Sequence, residues 1–178
     1  MRLFIAVALP EDVRKALALG AARVRADCLR GSFPREENSH LTVCFLGETA
    51  PERLGAVTEA METVSSPPLA LTIGPMGRFS SRSGDILYRA VDAGDELFAL
   101  QRSLREALSA RGFPMEKRAY IPHLTVARRA ALREGASLRS LSEALPPVRF
   151  TARELTLFRS DQRRGARIYT PIHQKSLQ

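Results

Sequence analysis

A four-residue sequence, His-Leu-Thr-Val, occurs twice in this chain, at His40–Val43 and at His123–Val126. The chain has only three histidines, so two of the three lie in this repeat. Each copy begins 37 residues after the start of an apolar segment typical of a buried strand, at Leu3 and at Ile86. This shared spacing indicates that two halves of the chain follow one structural plan.

The segments around the two copies predict strands and helices in a matching order. The elements predicted for the first half are a strand at Leu3–Leu9, a helix at Pro10–Arg25, a strand at His40–Gly47, a helix at Pro51–Met61 and a strand at Leu69–Ile73. Those predicted for the second half are a strand at Ile86–Val91, a helix at Asp95–Ala110 and strands at His123–Arg128 and Val148–Phe158, with a last strand at Arg167–Ile172.

This order predicts an α+β fold with two lobes. Each lobe is expected to be an antiparallel sheet with helices on its outer face, and a central cleft is expected between the lobes. We expect one bilobal domain of residues 1–178, with approximate repeats at 1–80 and 84–160 and the C-terminal strand at 167–172.

Length and composition exclude several classes of protein. The 178 residues, 44% apolar and 26% charged, fit roughly one globular domain and exclude a collagen or a disordered tail. No apolar stretch reaches 18 residues, so we expect no contact with a membrane, and Pro10 ends the opening apolar run too early for a signal peptide. Cys28 and Cys44 fit neither a disulfide framework nor a cysteine zinc site. We expect a cytoplasmic monomer.

The charge of the chain is strongly basic. Lys and Arg number 27 against 19 Asp and Glu, and only Lys15, Lys117 and Lys175 are lysines. Arginine forms bidentate pairs with phosphate, and a positive surface accelerates encounter with polyanions. A solvated surface encoded by a GC-rich genome explains the same charge equally well.

Strand geometry predicts how the repeated residues are arranged. Side chains two residues apart on a strand point to the same side, so His40 and Thr42 share one face, as do His123 and Thr125. The Leu and Val of each copy point to the opposite face and are expected to pack under the helices. If the two lobes face each other, two histidines and two threonines meet in one cleft.

Two histidines and two threonines suit chemistry at phosphorus. One imidazole removes a proton from the nucleophile, and the other gives a proton to the leaving oxygen on the opposite side. Threonine hydroxyls donate to the non-bridging oxygens. The copies contain neither carboxylate nor cysteine to complete a metal site, and the chain lacks G-x-S-x-G and G-x-G-x-x-G motifs. The alternative is a relic of duplication that preserves packing. His173, which has no counterpart, is expected at the surface.

Four segments resemble a known family: the opening RLFIAVALPEDV, the two motif regions HLTVCFLGE and RAYIPHLTVAR, and the closing LTLFRS followed by ARIY. Together they resemble the two-histidine (2H) phosphoesterase superfamily, and within it the RNA 2′,3′-cyclic phosphodiesterases, also called 2′-5′ RNA ligase-like proteins. The resemblance implies a bilobal fold and metal-independent opening of a terminal 2′,3′-cyclic phosphate of RNA to a 2′-phosphate, without a cofactor.

The resemblance leaves other activities open. Some family members also join RNA ends through 2′-5′ linkages, so an end-joining ligase is one alternative. A non-catalytic module that binds RNA or a nucleotide is another. The implied partners are RNA with 2′,3′-cyclic phosphate ends or small cyclic phosphodiesters.

The resemblance also implies a role for each motif residue. His40 is the proton donor to the leaving 3′ oxygen, and His123 is the proton acceptor that activates water. Thr42, Thr125 and Arg128 hold phosphate oxygens. Strict alternation along a strand puts Arg128 on the face opposite His123, so this role requires a bend that re-aims the side chain.

Three further residues lie near the motifs. Phe33 stands where the family often has Trp, which implies stacking on a base. Tyr120 either stacks on a base or supports the second motif. Cys44 replaces a residue that is often charged, and its parity with His40 and Thr42 predicts a position at the cleft edge, as a passive small residue rather than a reactive thiol.

Overall fold

The computed structural model describes residues 1–163 and 165–178. The strands are β1 (Arg2–Ala8), β2 (Cys28–Ser32), β3 (His40–Glu48), β4 (Leu69–Phe79), β5 (Asp85–Asp92), β6 (His123–Leu132), β7 (Val148–Ala152), β8 (Glu154–Arg163) and β9 (Ala166–Ser176). The α-helices are α1 (Glu11–Ala26), α2 (Leu54–Glu62), α3 (Gly94–Ala110) and α4 (Leu138–Glu143). Short 3-10 helices cover Glu36–Asn38 and Pro51–Arg53.

The strands form two antiparallel sheets. The first sheet has four strands in the order β3-β1-β8-β9, and the second has five in the order β2-β6-β5-β4-β7. Each motif strand, β3 or β6, pairs with the strand that starts its own half, β1 or β5. The predicted α+β fold with two antiparallel sheets is therefore confirmed.

Strands cross between the two halves of the sequence. β4 comes from the first half but pairs with β5 in the second sheet, and β8 and β9 come from the end of the chain but join β1. The prediction of one strand at Val148–Phe158 is wrong, because the chain leaves the second sheet after β7 and enters the first at β8. The predicted strands at Leu69–Ile73 and Arg167–Ile172 are also longer, reaching Phe79 and Ser176.

Two apolar cores lie beneath the sheets. In the larger core, the leucines that form one stripe along α3 are buried beside Leu41 and Val43 of β3. These leucines are Leu97, Leu100, Leu104 and Leu108. In the smaller core, Val24 of α1 packs with Leu87 and Ala127 of the second sheet. Each fully buried leucine stabilises the folded state by about 1.5–3 kcal/mol relative to an exposed one. This burial determines which face of each strand packs against the helices. In the described residues, no helix is long and apolar enough to cross a membrane.

A bulge follows the threonine of each motif. In the pairing of β1 with β3 the register skips Val43, and in the pairing of β5 with β6 it skips Val126. These valines occupy equivalent positions in the two copies of the repeated sequence. An extra residue in a strand reverses the alternation beyond it. The fifth residue after each histidine therefore points to the same side as the histidine.

Candidate active site

A cavity of about 270 Å³ brings the residues of both motifs together. Its lining includes His40 and Thr42 from β3, and His123, Thr125 and Arg128 from β6. The polar side of each motif faces this cavity, while Leu41 and Leu124 are buried in the larger core. The two sheets thus place both halves of the repeat around one enclosed volume.

Both histidine rings are held by the same hydrogen bond. The Nδ1 of His40 lies 2.7 Å from the backbone oxygen of Asn38, and the Nδ1 of His123 lies 2.7 Å from that of Ile121. A carbonyl oxygen only accepts, so Nδ1 carries the hydrogen in both rings. Nε2 is therefore the nitrogen that each ring offers to a substrate, and in a neutral ring it accepts a proton.

Aromatic rings hold the imidazole of His40 in place. The ring centroid of Phe4 lies 4.8 Å from that of His40, and Tyr169 approaches edge-on at 5.1 Å. Phe4 also stacks on Phe158 at 5.3 Å, so the support extends across β1 and β8. These rings fix the orientation of the imidazole and exclude water from one side of it.

A second aromatic pair holds His123. Phe79 approaches its ring edge-on at 5.0 Å and Tyr88 at 5.3 Å, and these two rings stack on each other at 4.3 Å. Gly77 makes this possible, because a Cβ at that position would lie 2.5 Å from the Tyr88 ring. Aromatic rings of the second sheet therefore support His123 as those of the first sheet support His40.

Burial lowers the pKa of both histidines below the usual value. The hydrogen bonds from Nδ1 act against this, while the positive charge of Arg128 lowers the pKa of both rings further. The nearby His123 also lowers the pKa of His40. In the protein without substrate, both rings therefore favour the neutral form.

Arg128 reaches the cavity because of the bulge at Val126. Its Nη2 lies 3.5 Å from the Thr125 hydroxyl, and its side chain is exposed. The next residue, Arg129, has a φ of +52°, and its backbone packs against Gly84. A Cβ on Gly84 would lie 2.9 Å from the Arg129 carbonyl carbon, so glycine is needed there. The bend that the predicted phosphate-binding role requires is present.

Cys44 does not lie at the cleft edge, and that prediction is wrong. The bulge at Val43 turns Cys44 into the larger core, where it is 5% exposed and pairs with Ile5 of β1. Burial raises the pKa of its thiol to about 12. Phe45 takes the cleft side instead, so Phe45 is the counterpart of Arg128 in the first half.

Phe33 and Tyr120 occupy different surroundings. Phe33 lines the cavity, with the guanidinium carbon of Arg25 4.3 Å from its ring centroid. Tyr120 instead donates its hydroxyl to the backbone oxygen of Thr42 at 2.8 Å. This bond ties the loop before the second motif to the strand of the first motif, so the contact supports the first motif rather than the second.

Several residues at the site carry no signal that the sequence analysis used. Of the aromatic supports, Phe4 and Tyr169 lie in segments noted above, RLFIAVALPEDV and ARIY, whereas Phe79 and Tyr88 lie in none of the segments that carry the resemblance. Arg89 also lines the cavity although it is 3% exposed. Its guanidinium donates to backbone oxygens on β4 and in the loop before β7, so its first role is to hold these segments together.

The side chains of the described residues include no group of three or more His, Cys, Asp or Glu placed to hold a metal ion. The polar groups that line the cavity include two imidazoles, two threonine hydroxyls and the guanidinium of Arg128. Such a set can move protons and hold an anion.

Comparisons with known proteins identify the family of this chain. The family model described as the 2′-5′ RNA ligase superfamily matches residues 10–164. The RNA 2′,3′-cyclic phosphodiesterase of Geobacillus stearothermophilus is 29% identical over 94% of this chain, which spans 54% of that longer relative. The protein of the same name from Escherichia coli is 30% identical, covering 99% of this chain and 96% of its own.

A solved structure shows the same fold. The crystal structure of E. coli LigT complexed with 3′-AMP has a TM-score of 0.80 and 27% identity, covering 99% of this chain and 97% of that one. The family match spans most of the chain, and the E. coli relative matches it from end to end. The protein belongs to the 2′-5′ RNA ligase superfamily.

Proposed function

We propose that this protein hydrolyses the terminal 2′,3′-cyclic phosphate of RNA to a 2′-phosphate without a metal ion. The observation that carries the proposal is the convergence of two Nε2 atoms, two threonines and Arg128 on one cavity. The relatives named as RNA 2′,3′-cyclic phosphodiesterases support the choice of substrate.

The reaction needs one proton transfer on each side of the phosphorus. His123 accepts a proton at Nε2 from a water molecule, whose oxygen forms the new bond to phosphorus. The bond from phosphorus to the 3′ oxygen breaks, and His40 donates a proton from Nε2 to that oxygen. His123 gains a proton from water and His40 loses one to the leaving oxygen. The two histidines therefore exchange protonation states in each turnover.

The threonines and Arg128 hold the phosphate during this exchange. Thr42 and Thr125 donate hydroxyl hydrogen bonds to the two non-bridging oxygens, one from each sheet. Arg128 supplies the positive charge that offsets the charge developing on those oxygens. Phe33, on the cavity wall beside Arg25, offers a ring on which the terminal base stacks.

Substrate binding explains how His40 becomes an acid. Burial, Arg128 and His123 all lower its pKa in the protein without substrate. A bound phosphate brings a negative charge next to the ring and favours the imidazolium form. The proton that the leaving oxygen requires is thus taken up together with the substrate.

End joining uses the same geometry with a different nucleophile. When the 5′-hydroxyl of a second RNA replaces water, the same two proton transfers produce a 2′-5′ linkage. The description of the matching family names this activity, so it is the second candidate. Excess 5′-hydroxyl RNA in the assay separates the two, because ligation yields a longer product and hydrolysis does not.

The decisive experiment uses an oligonucleotide that ends in a 2′,3′-cyclic phosphate, with and without EDTA. We expect a 2′-phosphate product in both conditions, identified by its resistance to enzymes that remove only 3′-phosphates. Activity that EDTA abolishes and zinc or magnesium restores would contradict the two-histidine mechanism. Tight, salt-sensitive binding without turnover would favour the non-catalytic module.

We also propose that the protein works as a monomer in the cytoplasm. Cys28 and Cys44 are both free and buried, which fits a reducing compartment. Both sides of the cavity come from one chain, so a second copy is not needed to build the site. Light scattering at the concentration of the activity assay tests the monomeric state.

A further inference from the structure

A second cavity, of about 610 Å³, adjoins the catalytic one on the side of the first sheet. The two cavities share His40, Thr42 and Arg128. The lining of the second cavity adds four more arginines, Arg2, Arg35, Arg129 and Arg167. Among its described lining residues there is no Asp or Glu, so the cavity is basic throughout. We refer to it below as the basic cavity.

The first sheet builds the floor of the basic cavity. Arg2 on β1 lies opposite Ser160 on β8, and the Ser160 hydroxyl accepts a hydrogen bond from Nη1 of Arg167 on β9 at 3.2 Å. Asn38 donates to the backbone oxygen of Arg167 at 2.9 Å and so connects this edge to the loop before His40. Two exposed arginines from the ends of different strands are thereby fixed on one side of the catalytic histidine.

Arg35 and Arg129 line the cavity from outside the first sheet. Arg35 lies 3.7 Å from Glu37, and both side chains are exposed. Arg129 has the left-handed conformation described above. Arg2 lies over the ring of Phe45, with its guanidinium carbon 4.9 Å from the ring centroid. Arg2 and Arg167 are therefore the two arginines best placed to bind an anion that approaches along the first sheet.

The opposite exit from the catalytic site is different in character. A cavity of about 520 Å³ there is lined largely by apolar side chains such as Phe79, Ile86 and Met115. Its charged lining residues are Arg105, Arg118 and Glu116, and the last two lie 3.6 Å apart. A phosphodiester chain carries one negative charge for each nucleotide and does not favour an apolar wall or a carboxylate. An RNA strand that ends at the two histidines therefore leaves through the basic cavity.

We propose that the basic cavity binds the phosphates of the nucleotides upstream of the cyclic phosphate. The proposal rests on the proposed function and specifies its substrate as an RNA strand rather than a free cyclic nucleotide. Arg2 and Arg167 neutralise upstream phosphates and release the ions condensed on them. They touch no reacting atom, so their contribution is to binding and not to the proton transfers.

The test compares two substrates, cytidine 2′,3′-cyclic phosphate and a hexanucleotide RNA that ends in the same group. The double variant Arg2→Gln/Arg167→Gln is expected to lose roughly tenfold in kcat/KM on the hexanucleotide and to change less than about twofold on the mononucleotide. Raising the salt from about 50 to about 200 mM is expected to affect the hexanucleotide more strongly, and the double variant is expected to reduce that difference.

A matched control removes the same charge elsewhere. Arg102→Gln/Arg139→Gln changes two exposed arginines on α3 and α4, outside all three cavities, and is expected to leave both substrates unaffected. Equal losses on both substrates, or equal losses in the control, would overturn the proposal. If neither substrate is hydrolysed, the proposed function fails. Fluorescence anisotropy with a labelled 2′-phosphate hexanucleotide still tests the cavity, since only the Arg2/Arg167 variant should weaken binding.

Discussion

The two halves of this protein share a backbone design but carry different charges. Each half presents a histidine whose Nδ1 donates to the carbonyl oxygen two residues before it, and each has a bulge after its threonine. Each imidazole also lies against two aromatic rings. At the fifth position after the histidine the halves diverge, with Phe45 in the first and Arg128 in the second.

This difference makes an approximately symmetric site electrostatically unequal. One guanidinium from the second half lowers the pKa of both histidines, while His40 alone is also affected by its partner ring. In the proposed mechanism, the repeat supplies two equivalent groups for proton transfer, and Arg128, which has no counterpart in the first half, places the phosphate on one side. The distinct roles that we propose for the two histidines then come from their surroundings and not from the motif.

The largest expected effect comes from removing either imidazole. We expect His40→Ala and His123→Ala each to lower kcat by about 10²- to 10⁴-fold, because each loses one of the two proton transfers. His173→Ala is the control, since that ring pairs with Glu62 at 2.8 Å, away from the cavity. Wild-type turnover in either motif variant would show that the assigned role is wrong.

A substrate with sulfur in place of the 3′ oxygen separates the two roles. A thiolate leaving group is much less basic than an alkoxide and does not need a general acid. We expect this substrate to restore most of the activity of His40→Ala and none of the activity of His123→Ala. Rescue of the opposite variant would reverse the assignment of acid and base.

Arg128→Gln tests the asymmetry at the fifth position. We expect a loss of about 10- to 10²-fold in kcat/KM, because a positive donor to the phosphate is removed. The pKa of both histidines should also rise, which NMR titration of the imidazole resonances measures. Phe45→Leu is the matched change in the other half and should leave both pKa values in place. No change in either pKa with Arg128→Gln would contradict the shared electrostatic effect.

Tyr120→Phe tests the bond between the two halves. Loss of the hydrogen bond to the Thr42 oxygen is expected to lower the free energy of unfolding by about 1 kcal/mol, measured by urea denaturation. Because the ring remains, kcat/KM should change only about twofold. A large loss of activity without a loss of stability would assign the hydroxyl to the substrate instead.

The smallest effect concerns stability at low pH. Both histidines have a lowered pKa in the folded protein, so below about pH 6.5 the unfolded chain binds more protons than the folded one. Their contribution to stability is complete above that pH and is lost as the pH falls through the lowered values. We expect His40→Gln to flatten this part of the stability curve, and an unchanged slope would contradict the burial of that ring.

Much of the fold could be predicted because its signals are local. The leucine stripe of α3 and the alternation within each motif follow from periods of two to four residues, and the repeated spacing of 37 residues can be counted directly in the sequence. The same alternation correctly placed His40 with Thr42 and His123 with Thr125 on the cavity side. It failed at Cys44, because a bulge depends on the register between two strands and has no fixed sequence signature.

The sequence by itself determined which side chains are the candidates for catalysis and which face of each motif strand carries them. Only the tertiary structure decided that Arg128 turns into the cavity, that Cys44 turns away, that four aromatic rings hold the imidazoles, and that Tyr120 bonds to the first motif. Pairing with distant strands settles these points. A residue's own neighbours specify its side of a strand, but partners far along the chain specify where the register shifts.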